Sequence, residues 1–150
     1  MVGQVIAASA ALVALVAVPL AAPAAAADEG QMVSIQSGSV RCLVSADDVS
    51  RGGGPMVVCE RSDGQAMGRA PFATSKFNEQ LPLVVMRGTG QFNWDKGAIA
   101  LPGGQGIAVD SGQTYQVNGW TIQPDPQRTR FTYDATGHGM LINAVDARSF

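Results

Sequence analysis

Histidine is almost missing from this 150-residue chain: His138 stands alone, and there are only two cysteines, Cys42 and Cys59. One imidazole and two thiols leave no nitrogen–sulfur set for zinc, which takes three or four such ligands. Any imidazole acting as a general base has to be His138. Aromatic residues make up 6% of the chain, and its ten Lys and Arg form no run interleaved with aromatics. The pattern of a nucleic-acid binder is therefore absent. The formal net charge of −2 is too small to argue for an anionic surface as partner. Gly-x-Ser-x-Gly does not occur, so a hydrolase nucleophile elbow is not indicated. From Asp28 onward helical periodicity is also lacking, since no window of helix length there keeps apolar residues at i, i+3, i+4 and i+7 without Gly or Pro intervening.

Charge is absent from the first 27 residues, and all ten basic and twelve acidic side chains lie from Asp28 onward. Residues 5–20 form an apolar h-region, and residues 21–27 (AAPAAAA) offer the small side chains that signal peptidase reads. The sequence predicts a signal peptide over 1–27, cleaved near Ala27 and Asp28. Its missing basic n-region is what a start codon placed too late would produce. Pro19, Pro23 and the alanine-rich composition make the segment marginal as a permanent span, so no stable membrane span is expected after processing. No cysteine sits at the cleavage point to carry a lipid. Residues 28–150 are then one secreted, extracellular domain, long enough for one core.

Glycine, by contrast, is abundant. Seventeen of its eighteen copies lie in the mature part, about twice the ordinary share of about 7%. They fall between short apolar runs, the punctuation of an all-β chain. Seven or eight short antiparallel strands are expected, as a small sandwich or open barrel. The anchor is residues 32–61, read as a hairpin. Val40, Cys42 and Val44 share one face, Val57 and Cys59 share another, and pairing Cys42 with Cys59 sets Val44 opposite Val57. Export makes a Cys42–Cys59 disulfide the simplest use of the two thiols. Apolar parity switches between Ile35 and Val40 and again between Val117 and Trp120; a β-bulge at Gly38 and another at Gly119 would account for both. Residues 81–87 (LPLVVMR) read as a strand covered on both faces, 98–101 and 107–109 as short strands, and Thr129, Phe131 and Tyr133 as the inner side of a half-buried strand. A helical turn is expected near 73–77.

Ser37-Gly38-Ser39-Val40-Arg41-Cys42 followed by Cys59, then Gly112-Gln113 through Trp120, then Thr136-Gly137-His138-Gly139-Met140, resembles an uncharacterised family of small exported actinobacterial, mycobacterial-type proteins. That family opens on Ser-Gly-Asn-Ile-x-Cys and closes on a Gly-His-Gly-Phe-like segment. The resemblance spans most of the mature chain and implies secretion and a fold, but no activity. Ser39 stands where the family has Asn. Ile122 and Phe131 stand where it often has a second cysteine pair, and an apolar contact there would serve in place of the cross-link.

For chemistry, His138 with Asp134 four residues earlier is the one candidate catalytic pair, as base and orienting carboxylate. The plainer reading is a glycine-flanked turn. Ser111 reads as a turn serine, and Asp47 and Asp48 as turn carboxylates with no EF-hand pattern around them. Residues 103–106 (GGQG) lack the Lys and the helix of a phosphate loop. No cofactor or metal is expected. Trp94 is the candidate binding residue, because an aromatic alternating with polar neighbours serves either core or ligand, whereas Trp120 and Phe131 read as core. Three functions remain: a non-catalytic exported domain binding an extracellular or cell-envelope partner, a small hydrolase using His138 and Asp134, or a protease-inhibitor-like module presenting residues 47–55.

Overall fold

The computed structural model describes residues 30–73, 78–100 and 106–150. The expected signal peptide, residues 74–77 of the expected helical turn and residues 103–105 of the glycine-rich stretch lie outside them. Two sheets face each other as a sandwich. Sheet I contains β1 (Gln31–Ile35), β2 (Val40–Ser45), β3 (Met56–Arg61), β4 (Leu83–Arg87), β5 (Phe92–Asp95) and β6 (Ile107–Ala108), in the order β5-β4-β3-β2-β1-β6. All its pairings are antiparallel except β1 with β6. Sheet II is an antiparallel meander of β7 (Tyr115–Val117), β8 (Trp120–Pro124), β9 (Thr129–Tyr133), β10 (Gly139–Ile142) and β11 (Ala147–Ser149), in the order β11-β10-β9-β8-β7.

The stapled hairpin has the expected register. Cys42 lies directly opposite Cys59 and Val44 opposite Val57, and the two sulfurs are bonded. Their Cα atoms are 4.1 Å apart, close to the spacing of about 4.5 Å at a non-hydrogen-bonded antiparallel pair. Both cysteines are fully buried.

The two parity switches are not bulges. Between Ile35 and Val40 the chain reverses through a 3₁₀ turn, Gln36–Gly38, and these two residues become cross-strand partners. Between Val117 and Trp120 it reverses through Asn118-Gly119, whose φ values of +49° and +83° are those of a two-residue hairpin turn. Each reversal turns one expected strand into two. With these two splits and a last short strand, Ala147–Ser149, that the sequence did not mark, the described residues hold eleven strands rather than seven or eight. Residues 98–100, expected as a strand, are irregular.

Alternation then builds the core. From sheet I, Val33, Ile35, Val40, Cys42, Val44, Val57, Cys59, Val84 and Met86 point inward, each two residues from the next along its strand. They meet Trp120, Ile122, Phe131, Met140, Ile142 and Ala147 of sheet II. Ile122 and Phe131 are directly opposed and wholly buried, so the two positions the resemblance gives to a second cysteine pair are filled by an apolar contact. At the centre of sheet I, along β3 and β4, the other face is buried as well. Met32, Met56, Val58, Leu83 and Val85 pack there beneath Ile99, which is why β3 and β4 are apolar without alternation. Sheet II differs: Gln123, Arg130 and Arg148 on its outer face are exposed, and Thr121, Thr132 and Leu141 half-buried.

Candidate functional site

Asp134 and His138 both lie in the exposed turn between β9 and β10. The turn is closed by Gly137 N–H donating to the Tyr133 carbonyl at 2.8 Å and by Tyr133 N–H donating to the His138 carbonyl at 2.8 Å. Gly137 sits at φ +76°, a conformation suited to glycine. Gly139 is needed for space: a Cβ there would collide with the Phe131 carbonyl oxygen. The His138 ring packs over Gly90 in the β4–β5 turn, where an added Cβ would come within 2.9 Å of it. Thr136 Oγ1 donates to the Gly88 carbonyl at 2.5 Å, tying the two sheets at this end. The Asp134 carboxylate accepts from Thr121 Oγ1 at 2.5 Å, and no hydrogen bond among the described residues joins it to His138.

Ser111 lies near the opposite end, beside the β8–β9 turn. It borders a cleft of about 380 Å³ with Gln36, Ser37, Asp110, Asp125 and Asn143. Gln36 and Ser37 both have positive φ, 52° and 56°. Gln36 Nε2 donates to the Asp125 carbonyl and to Thr129 Oγ1, each at 3.2 Å, which holds that turn against sheet II. The Asp125 carboxyl accepts from the backbone N–H of Arg128 and of Gln127, at 3.0 and 2.8 Å. These bonds, Arg128 first, hold its pKa below the ordinary carboxylate value. Ser111 and His138 are thus separated by the length of β9.

The β2–β3 loop is ordered by its own polar groups. Gly54 N–H donates to Asp47 Oδ1 at 2.6 Å, Ser50 Oγ donates to Asp48 Oδ1 at 2.6 Å, and Arg87 Nη2 donates to the Arg51 carbonyl at 2.8 Å. Its tip is a 3₁₀ turn, Val49–Arg51, with Val49 75% exposed. Asp47 and Asp48 serve this turn, and no group of three or more His, Cys, Asp or Glu is placed to hold a metal among the described residues.

Trp94 is half-buried on β5, an edge strand, packed against the main core and edge-on to Phe92 at 6.1 Å. The other aromatics of the sequence reading are committed. Trp120 is fully buried and its Nε1–H donates to the Ser45 carbonyl at 3.3 Å. Tyr133 tilts against it at 5.1 Å, and the Tyr115 hydroxyl accepts from Asp110 N–H at 3.0 Å.

Sequence reasoning missed the arginines of sheet II. Arg130 and Arg148 both pair with Leu141, one from each side, so two guanidiniums flank one leucine across the outer face. Arg130 lies over the Phe150 ring, 3.8 Å from its centre. Next to this row Arg69, Arg128 and Arg148 line a recess of about 120 Å³ together with Leu141, Asn143 and Asp146. The remaining arginines are occupied. Arg41 pairs with Glu60, Arg51 with Asp95 and Arg61 with Asp63, while Arg87 donates to carbonyls of the β2–β3 loop. In the recess one carboxylate, Asp146, stands 4.0 Å from Arg69. The alternation of Arg128 and Arg130 with buried neighbours was the available signal, but Arg69 and Arg148 come from distant segments.

Comparison with protein-family models, with curated proteins and with solved structures gives no match to this chain.

Proposed function

We propose that this chain is an exported, non-catalytic β-domain that binds an extracellular or cell-envelope partner through the outer face of sheet II. The observation that carries the reading is the asymmetry of the two sheets. The central strands β3 and β4 of sheet I are buried on both faces, whereas sheet II presents Gln123, Arg130 and Arg148 to solvent. Exposed arginines with a few neutral neighbours are a common composition for a protein-borne recognition surface. The uncharged leader and the buried disulfide support export. So do the resemblance motifs, with Ile122 against Phe131 in place of a second bridge.

The hydrolase reading has less support. Asp134 is engaged by Thr121, His138 packs over Gly90, and the serine singled out by sequence is at the far end of β9. An inhibitor-like role for residues 47–55 meets a different difficulty. That loop is ordered, but its tip is a 3₁₀ turn rather than an extended segment able to lie along an enzyme cleft as an added strand.

Two measurements test the proposal together. Expressed from its full sequence in an actinobacterial host, the protein is expected in the culture medium or envelope fraction, with a new N-terminus at residue 28 and no free thiol. The purified mature domain is expected to co-sediment with cell-envelope material, unchanged by His138→Ala and weakened by Arg130→Gln with Arg148→Gln. Retention of an intact, thiol-bearing chain in the cytoplasm, or sedimentation indifferent to the arginine pair, would overturn it.

A further inference from the structure

We infer that the recess between β9, β10, β11 and the loop carrying Arg69 is a phosphate site, and that the ligand is a phosphate-bearing polymer lying across sheet II. The inference rests on the binding role just proposed and adds the chemistry of the ligand. Three features of the recess select that chemistry.

The first is charge. Arg69, Arg128 and Arg148 enter from three separate elements, against one carboxylate, Asp146. That carboxylate is already used: Asp146 Oδ1 accepts from Ala147 N–H at 2.9 Å, and Oδ2 lies 4.0 Å from Arg69. Arg128 also lies near Asp125, whose carboxyl is taken up by two backbone N–H groups of its own turn. The local balance is therefore positive in a chain whose net charge is −2.

The second is shape. A carboxylate is planar and is satisfied by one bidentate guanidinium. A tetrahedral phosphate offers oxygens in several directions and suits guanidiniums converging from several elements. The recess, about 120 Å³, has room for such a group with some water, since one water needs only about 10–15 Å³ on this measure. Its neutral amide is unavailable to compete. Asn143 Nδ2 donates to the Gln127 carbonyl, and its oxygen accepts from Val145 and Asp146 N–H.

The third is continuity. Arg130, on the same face and across Leu141 from Arg148, extends the positive row beyond the recess. Its side chain is positioned by the Phe150 ring and by donation to Thr132 Oγ1 at 3.4 Å. An extended ligand with repeated phosphates would meet the recess and then Arg130, which a single free phosphate would not.

The test is a titration of the mature domain, at about 50 mM salt, with a short inorganic polyphosphate, with orthophosphate, with polyglutamate of equal charge and with single-stranded DNA of equal phosphate count. Polyphosphate is expected to bind, to weaken steeply as salt is raised, and to lose about tenfold in affinity on Arg148→Gln and more on Arg128→Gln with Arg148→Gln. Because Arg128 is half-buried, Arg69→Gln with Arg148→Gln serves as the second variant, and both are checked for unchanged melting temperature. Polyglutamate and orthophosphate are expected at least tenfold weaker. DNA is expected to gain nothing from its bases, because Phe150, the exposed aromatic beside this row, already lies against Arg130.

Polyglutamate binding as tightly as polyphosphate, DNA binding more tightly, or indifference to both double variants would each overturn the phosphate site. If polyphosphate fails while envelope sedimentation persists and still depends on Arg130 and Arg148, the phosphate inference falls and the broader binding role stands. If both fail, both fall.

Discussion

Glu60 has the densest set of polar contacts of any buried carboxylate among the described residues. It is 3% exposed, on the outer face of sheet I, directly across the ladder from Arg41. Oε1 accepts from Arg41 Nε at 2.7 Å and lies 2.6 Å from its Nη2 in an ion pair, and Oε2 accepts from Ile99 N–H at 3.2 Å. One carboxylate therefore joins β2, β3 and the segment that covers the second apolar cluster. Removing one member of such a pair leaves the other charge and a backbone donor without their partner. Arg41 keeps about a third of its side chain in water (30%), so the loss falls at the lower end of the range for breaking a buried pair. Glu60→Ala is expected to cost about 3 kcal/mol, read as a lower denaturant midpoint at constant slope. Glu60→Gln, which keeps the acceptor oxygen, is expected to cost less. An alanine variant within about 0.5 kcal/mol of wild type would mean that Arg41 and Ile99 N–H are resatisfied by water.

At the scale of elements, the disulfide and the turns divide the work of fixing register. The Cys42–Cys59 bridge has a sequence separation of 17, and closing a loop of that size contributes roughly 3 kcal/mol in the chain-entropy model. Replacing both cysteines by alanine is expected to lower stability by about that amount without changing the fold. The bridge is fully buried, so a thiol reductant should leave the native protein oxidised until denaturant opens β2 and β3; rapid reduction without denaturant would show that these strands open locally. The β8–β9 turn adds a pH-dependent term. Asp125 is held below its ordinary value by the N–H groups of Arg128 and Gln127, and Asp63 is held below its own by Arg61 and then by Gln65 N–H. A depressed folded pKa contributes stability above the unfolded value, near 3.9, and loses it as pH falls through the folded one. Both carboxyls are exposed, so the effect is small and screened by salt. The melting temperature of the wild type is expected to fall below about pH 4, and that of Asp125→Asn to fall less; identical acid profiles would dismiss the turn as a contributor. These turns also mark where the sequence was ambiguous. A bulge flips apolar parity because it inserts one residue, and a hairpin with a two- or four-residue loop flips it too. Val117 and Trp120 have opposite parity because they are cross-strand partners. The Asn118-Gly119 dipeptide, both residues at positive φ, was the deciding signal. No equally compact signal marked Gln36–Gly38, where two non-glycine residues adopt positive φ.

For the whole molecule, unequal burial predicts unequal stability. The alternating strands, the doubly covered run at Leu83–Arg87 and the Cys42–Cys59 pairing were legible because each depends on neighbours in sequence or on a single loop. The arginine recess was not, because Arg69, Arg128 and Arg148 meet only when the loop after β3 reaches the β10–β11 turn, where Arg69 N–H donates to the Val145 carbonyl at 2.8 Å. The same arrangement leaves the two sheets unlike. β2, β3 and β4 lie in the interior of sheet I, held by the bridge, with apolar clusters on both sides. β8, β9 and β10 have one such cluster and an opposite face that is exposed or half-buried, while the three-residue strands β7 and β11 are the edges of sheet II. Amides open in cooperative units whose free energy follows the apolar contact around them. Hydrogen exchange is therefore expected to be slowest in β3 and β4, next slowest in β2, faster across β8–β10, and fastest in β7 and β11. A ligand that binds the outer face of sheet II should slow β9–β11 and leave β3 and β4 far less affected, since those strands do not line that face. If β9 and β10 outlast β3 in the free protein, two-sided burial is not what sets the order. Sheet II would then be the stable half, and the open arginine face would sit on the least mobile part of the molecule.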